Sequence, residues 1–177
     1  MKKKILIVLS VLILITLIVF LTNKVIGEED FYNEVVLSQN NSIVLSSNVQ
    51  NYYDTVISVG LDVSGIKGNT VIVEKLSDAA KNNFGGQLDA HVRYFNGIFY
   101  LFIDDLNRQE AIKVISHEIA HMDQYLSQRF VYEDGVSYWD GEKFDAQQME
   151  YEVRPWEIDA FNKEREISLR IANILLK

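Results

Sequence analysis

Two histidines and a glutamate lie within five residues of one another, His117, Glu118 and His121, in the stretch HEIAH. On a helix, side chains four residues apart lie one above the other on the same face. Both imidazoles can therefore bind one metal ion, and the glutamate can reach a water molecule in the ion's open position. The spacing predicts a Zn²⁺ site with Glu118 as general base. The alternative is a surface helix that carries two of the chain's three histidines by chance.

Apolar periodicity places these residues on one long helix. Asn107 followed by Glu110 has the spacing of an N-cap with its reciprocal glutamate, so the helix should begin near Asn107 and end near Gln128. Glu118 falls within the apolar arc, where an unpartnered carboxylate is costly to bury. A metal-bound water beside Glu118 would explain its burial there. Five residues fall on the predicted solvated face: Lys113, Ser116, Asp123, Gln124 and Ser127.

A third ligand must come from elsewhere in the chain. A metzincin-type site would need glycine at position 124 and histidine at position 127, where the chain has glutamine and serine. The other common arrangement takes a glutamate from a later helix, which directs attention to YEVRPWEIDAF, residues 151–161. Pro155 suits the first turn of such a helix, which should extend to about Leu176.

Three acidic residues compete for the ligand position. Glu157 falls at the centre of the helix's apolar face, whereas Asp159 falls on the polar face. Glu152 precedes the proline in a segment expected to be extended. Burial favours Glu157 as the third ligand over its alternative role, an acid that stabilises the helix N-terminus. Glu164 and Ser168 also fall on the apolar face, without an assignable role.

Short apolar runs predict a small sheet before the metal-binding helix. Residues 55–61 and 70–73 have the composition of strands, separated by a turn-rich stretch at 64–69. Ser77 can cap a short helix that Gly85 would end.

The clearest hairpin consists of residues 88–95 and 98–104 around the pair Asn96-Gly97, which favours a tight turn. Its second strand is apolar on both faces, so it should lie inside the sheet. In the first strand, alternation places His91 on the polar face. There it either lines a substrate cleft or, as the pattern favours, lies on a solvated face.

The N-terminal segment is a separate region. Residues 5–22 form an uncharged apolar run behind three lysines, long enough to cross a bilayer as a helix. Residues 1–27 are therefore predicted to be an uncleaved signal-anchor with a cytoplasmic N-terminus and the rest of the chain outside. The alternative is secretion after signal cleavage before Glu28. Residues 28–53 are interpreted as a polar stalk, and residues 54–177 as the folded domain.

Charge and cysteine content restrict the possible partners. After Gly27 there are 25 acidic and 13 basic residues, a formal charge of −12, which makes nucleic acid an unsuitable partner. The chain has no cysteine, so it has neither a disulfide framework nor a lipidated cysteine. Membrane attachment must then come from the apolar segment itself.

The pattern HEIAH, followed after a hairpin-like stretch by E-x-x-A at Glu157 to Ala160, resembles the gluzincin group of zinc metallopeptidases. The stretch from Tyr138-Trp139 through RPWEIDAF is similar to small zincin-like proteins of bacteria and their phages. The resemblance covers roughly the last 80 residues. In two places the chain departs from the pattern. Asp123 replaces a usually apolar residue, and Phe161 stands where some members carry an aspartate that orients the histidines.

The resemblance implies an α+β fold, with a small, mostly antiparallel sheet packed on the metal-binding helix and a C-terminal helix. It implies Zn²⁺ held by His117, His121 and Glu157, with Glu118 as catalytic base. The expected activity is hydrolysis of a peptide or protein substrate outside the cytoplasm. The same metal chemistry also permits hydrolysis of a bond other than a peptide bond.

Two questions stay open from sequence alone. His91, Tyr138, Tyr151 and Arg154 could each stabilise the oxyanion, and the sequence does not choose among them. A non-catalytic surface protein could also keep the same scaffold for binding. Retention of Glu118 favours catalysis, because zinc binding alone does not require that residue.

Overall fold

The structure, a computed structural model, describes residues 41–83 and 88–176. The predicted membrane span at residues 5–22 and the helix end predicted at Gly85 lie outside these ranges. Within the described ranges, none of the helices combines the length and the apolar character needed to cross a bilayer. The fold is α+β, with two small sheets and a long C-terminal helix.

The larger sheet has four strands, β1 (Ser42–Leu45), β2 (Thr70–Lys75), β3 (Ala90–Phe95) and β4 (Ile98–Ile103). Their order in the sheet is β1-β2-β4-β3. Strands β1 and β2 are parallel, as are β2 and β4, whereas β3 and β4 are antiparallel. One face of the sheet is fully buried and is lined by Val71, Val73, Phe99, Leu101 and Ile103.

A helix, α1 (Tyr52–Val63), replaces the strand predicted at residues 55–61, so that prediction is wrong. β-branched residues suggested a strand, but the most buried positions, Tyr53, Val56, Ile57 and Leu61, have helical spacing. Because α1 connects β1 to β2 as a crossover, those strands are parallel. The prediction of a mostly antiparallel sheet is therefore wrong for this larger sheet.

The folded domain also begins earlier than predicted. Strand β1 lies within the predicted stalk and pairs with β2, and Tyr53 is fully buried. Residues 42–53 therefore belong to the domain. A four-residue edge strand in an asparagine- and serine-rich stretch gives too weak an apolar signal to be distinguished from a linker.

The predicted hairpin is confirmed. Asn96 and Gly97 have φ values of 50° and 81°, the left-handed conformations that its tight turn requires. Strand β4 has neighbours on both sides, as its apolar sequence predicted. The predicted cap at Ser77 is also present, since its Oγ accepts a hydrogen bond from the Ala80 amide at the start of α2 (Asp78–Asn83).

Two long helices follow the larger sheet. Helix α3 (Arg108–Leu126) begins with the predicted capping box between Asn107 and Glu110. Helix α4 (Pro155–Leu175) begins at the predicted proline, after a short 3₁₀ turn at Tyr151–Val153. The prediction of these two helices is confirmed.

Helices α1, α3 and α4 pack against one another. Gly60 in α1 permits their close approach, because a Cβ atom there would lie 2.2 Å from Cδ1 of Ile119 in α3 and 3.1 Å from Cδ1 of Ile171 in α4.

The stretch between α3 and α4 forms a second, three-stranded antiparallel sheet. Its strands are β5 (Phe130–Glu133), β6 (Val136–Trp139) and β7 (Glu142–Phe144). The two tight turns are Asp134-Gly135 and Asp140-Gly141, in which all four residues have positive φ. This sheet packs on Trp156 through Phe130 and Phe144.

Candidate metal centre

Helices α3 and α4 bring His117, His121 and Glu157 together. The two Nε2 atoms are 3.1 Å apart, and Oε2 of Glu157 lies 3.2 Å from Nε2 of His117 and 3.3 Å from Nε2 of His121. A tetrahedral ion with bonds of about 2.0–2.1 Å has ligands about 3.3–3.4 Å apart, so these spacings fit one small cation. The buried group of three could hold a metal ion.

The other two candidates for the third ligand lie outside this group. Glu152 is exposed, in the 3₁₀ turn before α4. Asp159 is directed to the far side of His121, where it contacts Gln124 and Arg129. Glu157 alone of the three is placed with the histidines, at the position where the apolar face of α4 meets α3.

His121 and Glu157 shift each other's pKa in opposite directions. Burial lowers the pKa of His121, but the hydrogen bond and charge of Glu157, with the charge of Glu118, outweigh burial and raise that pKa to about 9. Burial raises the pKa of Glu157, but its contacts with His117 and His121 outweigh this effect and bring that pKa down to about 2. A bound cation would compete with a proton for the His121 ring nitrogen.

Glu118 lies beside this group as an almost completely buried carboxylate. Its Oε2 has no hydrogen-bond partner among the described residues. Burial raises its pKa, and the charges of His121 and His117 oppose this shift. A buried carboxylate with a free oxygen beside two imidazoles is equipped to accept a proton from a molecule bound at the group of three.

Gln124 hydrogen-bonds the ring nitrogen of His121 that is not directed at the group of three. Its Oε1 accepts from Nδ1 of His121 at 2.9 Å, and its Nε2 donates to the carbonyl oxygen of Trp156 at 2.8 Å and to Asp159 at 2.9 Å. Gln124 is fully buried, as is Ser116, so the prediction that both are solvated is wrong. Helix α4 covers the side of α3 that carries Gln124, which no periodicity within α3 reveals.

Asp159 is not one of the three candidate ligands, but it contacts Gln124, which hydrogen-bonds His121. Besides the contact with Gln124, its carboxylate accepts from Arg129 at 3.0 Å and lies 3.2 Å from Lys163. Arg129 also pairs with Asp140 and lies over the ring of Trp139 at 4.3 Å. A continuous set of polar contacts therefore connects His121 to the β5–β7 sheet. Asp159 therefore lies on the polar side of α4, as predicted, although these contacts partly bury its carboxylate.

His117 is enclosed by two residues of α4. Its Nδ1 lies 3.3 Å from Oε2 of Glu164, and the Phe161 ring lies 4.6 Å from the imidazole, centroid to centroid. Sequence reasoning did not assign a role to Glu164, although its position on the apolar face of the helix was a visible signal.

A cleft of about 570 Å³ opens beside His117 and Glu118. Among the four residues predicted as possible oxyanion donors, Tyr151 and Arg154 line it, and His91 and Tyr138 do not. His91 lies on the face of β3 away from α3, half-buried against Phe102. The Tyr151 side chain interacts with the Glu157 carboxylate.

No protein-family model, curated protein or solved structure matches the chain. What the site can do must therefore be judged from its own residues.

The donor set consists of two imidazole nitrogens and one carboxylate oxygen. Such ligands suit divalent transition metals, whereas Ca²⁺ and Mg²⁺ prefer sites made of oxygen. Glu118 and the cleft lie on the same side of the group. The arrangement can bind a cation and present a proton acceptor to whatever binds beside it.

Proposed function

We infer that the protein is a zinc-dependent peptidase attached to a membrane, with its domain outside the cytoplasm. One observation carries this proposal: three ligand atoms within 3.3 Å of one another adjoin a buried glutamate with a free carboxylate oxygen. A protein that needed only to bind a metal would have no use for Glu118, whose burial is costly.

Zinc is the metal that the donor set favours. Two histidines and one glutamate, with room for a fourth ligand, are typical of catalytic zinc sites. When bound, zinc would lower the pKa of a coordinated water to about 7 and polarise a substrate carbonyl.

Glu118 would accept the proton of the attacking water and pass it to the leaving amine. Its free Oε2 and its raised pKa suit both steps. Tyr151 and Arg154 are the two cleft residues that could donate to the oxyanion. The Tyr151 side chain interacts with the Glu157 carboxylate. One Arg154 nitrogen, Nη2, donates to the carbonyl oxygens of Ala146 and Met149, while its Nε has no hydrogen-bond partner among the described residues.

A peptide substrate is supported by the position of β3. This strand is at the edge of the larger sheet, and among the described strands it pairs only with β4. Helix α3 packs against β3, and Ala90 of that strand lines the cleft together with Glu118. An extended peptide could pair with such an edge and place its backbone near the candidate centre.

The cellular location is proposed from residues 5–22, which lie outside the described residues. The three lysines before this apolar run favour a single-pass anchor with a cytoplasmic N-terminus. Secretion after signal cleavage is the alternative. The rival function is a non-catalytic surface protein that binds its partner on a zinc-stabilised scaffold.

The decisive experiment compares the parent protein with Glu118→Gln on a peptide library, with zinc content measured in both. Loss of the proton acceptor should slow hydrolysis about 10²- to 10⁴-fold while zinc stays nearly stoichiometric. Glu133→Gln, an exposed acid of β5 that does not line the cleft, is the matched control and should retain activity. Equal hydrolysis by the Glu118→Gln protein would exclude the proposed mechanism. Absence of hydrolysis by the zinc-loaded parent would favour the binding protein.

A further inference from the structure

A second buried carboxylate, which the proposed reaction does not use, lies behind His117. Glu164 follows Glu157 by seven residues of α4, about two helical turns, so both side chains emerge on the face that meets α3. Glu164 is only 9% exposed. A carboxylate is rarely buried to this extent unless it is paired.

His117 lies between the two carboxylates. Its Nε2 contacts Glu157, and its Nδ1 lies at ion-pair distance, 3.3 Å, from Glu164. A histidine that binds a metal through Nε2 carries its proton on Nδ1, and the acceptor beside Nδ1 fixes the tautomer and the ring orientation. Nδ1 makes no hydrogen bond of good geometry with any described residue, and Glu164 is the carboxylate at ion-pair distance from it. Phe161 packs against the ring but cannot accept the proton.

Among the described residues, no lysine or arginine lies closer than 4.0 Å to the Glu164 carboxylate. Lys113 is its nearest cation, with Nζ 4.0 Å from Oε1 and a side chain that is 71% exposed, so the pair contributes little. Two carboxylates on one helix face therefore flank the same imidazole. They repel each other, and a divalent cation bound by His117, His121 and Glu157 would attract both carboxylates and offset that repulsion.

We propose that Glu164 is a positioning residue of the metal centre, which holds His117 through Nδ1 and raises the affinity of the site for a divalent cation. The proposal rests on the metal binding in the proposed function and not on peptide hydrolysis.

The test uses the full-length protein and Glu164→Gln, which keeps the shape and removes the charge. Competition with a chelator should show zinc binding about 10- to 100-fold weaker. The visible absorption of the Co²⁺-loaded protein should change, because the orientation of one imidazole changes. Glu166→Gln, an exposed acid on the same helix, is the matched control and should alter neither measurement.

Thermal unfolding separates this role from a merely structural one. The metal-free Glu164→Gln protein should be at least as stable as the parent, because a buried repulsion is removed. The zinc-loaded form should be less stable than the zinc-loaded parent. A loss of stability that is equal with and without zinc would overturn the proposal, as would unchanged zinc affinity and an unchanged Co²⁺ spectrum.

Should Glu164→Gln fail to fold, Glu164→Met repeats the test with an apolar side chain of similar length. Failure of both variants to fold would assign Glu164 to the core and overturn the proposal. If the zinc effects appear but the parent hydrolyses no peptide, the role of Glu164 stands and the proposed function fails.

Discussion

At the scale of single residues, each histidine of the candidate centre has one ring nitrogen facing the cluster and the other facing a supporting side chain. His117 is supported by the carboxylate of Glu164, and His121 by the amide of Gln124. The carboxylate adds charge as well as orientation, whereas the amide supplies orientation alone. The two imidazoles are thus each contacted by a residue that lies outside the group of three.

Glu157→Ala should remove a ligand and with it most of the bound zinc. The zinc-loaded protein should also lose stability, because a metal bound only by the folded state adds its binding energy to folding. Zinc content after gel filtration and thermal unfolding measure both effects. Asp159→Ala should weaken zinc binding less, since Asp159 is not in the ligand group and contacts it only through Gln124. A centre emptied by Asp159→Ala and not by Glu157→Ala would refute the ligand assignment.

His91 should make the domain less stable in mild acid. Burial, aided by the charge of Arg93, lowers its pKa to about 4, whereas an unfolded histidine titrates near 6.5. Between pH 4 and 6.5 the unfolded chain binds a proton at His91 that the folded protein does not. The contribution of neutral His91 to the free energy of unfolding is therefore complete above about pH 6.5 and is lost as the pH falls toward 4. Urea unfolding between pH 7 and 4 measures the free energy of unfolding of the parent and of His91→Gln. This free energy should fall less steeply with decreasing pH in the variant, and the two slopes should differ by the equivalent of up to about one bound proton. Identical slopes would contradict the prediction.

At the scale of elements, the two helices that carry the ligands could be predicted from sequence, because each combines a long apolar period with a recognisable start. Helix α1 could not, since its β-branched residues favour a strand and only tertiary packing shows which positions are buried. The parallel pairing of β1 with β2 depends on α1 and was missed with it.

The supporting residues were harder to predict than the ligands. HEIAH fixes the relative placement of His117 and His121 within one helix, and the apolar face of α4 directs Glu157 toward it. Gln124, by contrast, is polar in a polar position of α3, and only the docking of α4 buries it. No pattern within one helix contains that information.

Gln124→Ala should loosen the contact between α3 and α4. It would leave Nδ1 of His121 without its buried acceptor and the Trp156 carbonyl without its donor, at a cost of about 1–3 kcal/mol for an unsatisfied group. Chemical unfolding of the metal-free protein measures this loss. Gln109→Ala, at an exposed position in the first turn of α3, is the control and should change stability little. Equal effects of the two substitutions would show that the Gln124 contacts contribute nothing.

At the scale of the whole molecule, the proposal joins an acidic domain to an apolar N-terminal segment. The formal charge of −12 after Gly27 contrasts with the lysines that precede residues 5–22. Orientation depends on the basic residues near the apolar segment, and three lysines before it against Lys24 after it favour a cytoplasmic N-terminus, with the candidate centre on the other side of the membrane.

The full-length protein should therefore fractionate with membranes, and protease added to intact cells should digest its domain. Replacing Lys2, Lys3 and Lys4 by glutamine should weaken this orientation, because the positive charges direct it. A soluble product that begins near Glu28 would refute the anchor while leaving export intact. Complete protection of the domain from protease in intact cells would refute the proposed topology.

The contacts that run from His121 to the β5–β7 sheet pass both tryptophans of the chain. The carbonyl of Trp156 accepts from Gln124, and the ring of Trp139 lies under Arg129, which pairs with Asp159. Indole emission responds to the polarity and charge around the ring. Intrinsic tryptophan fluorescence should therefore change when the contacts between His121, Gln124 and Asp159 change. A titration with zinc could then be followed without a label or a substrate, and Trp139→Phe and Trp156→Phe would show which ring carries the signal.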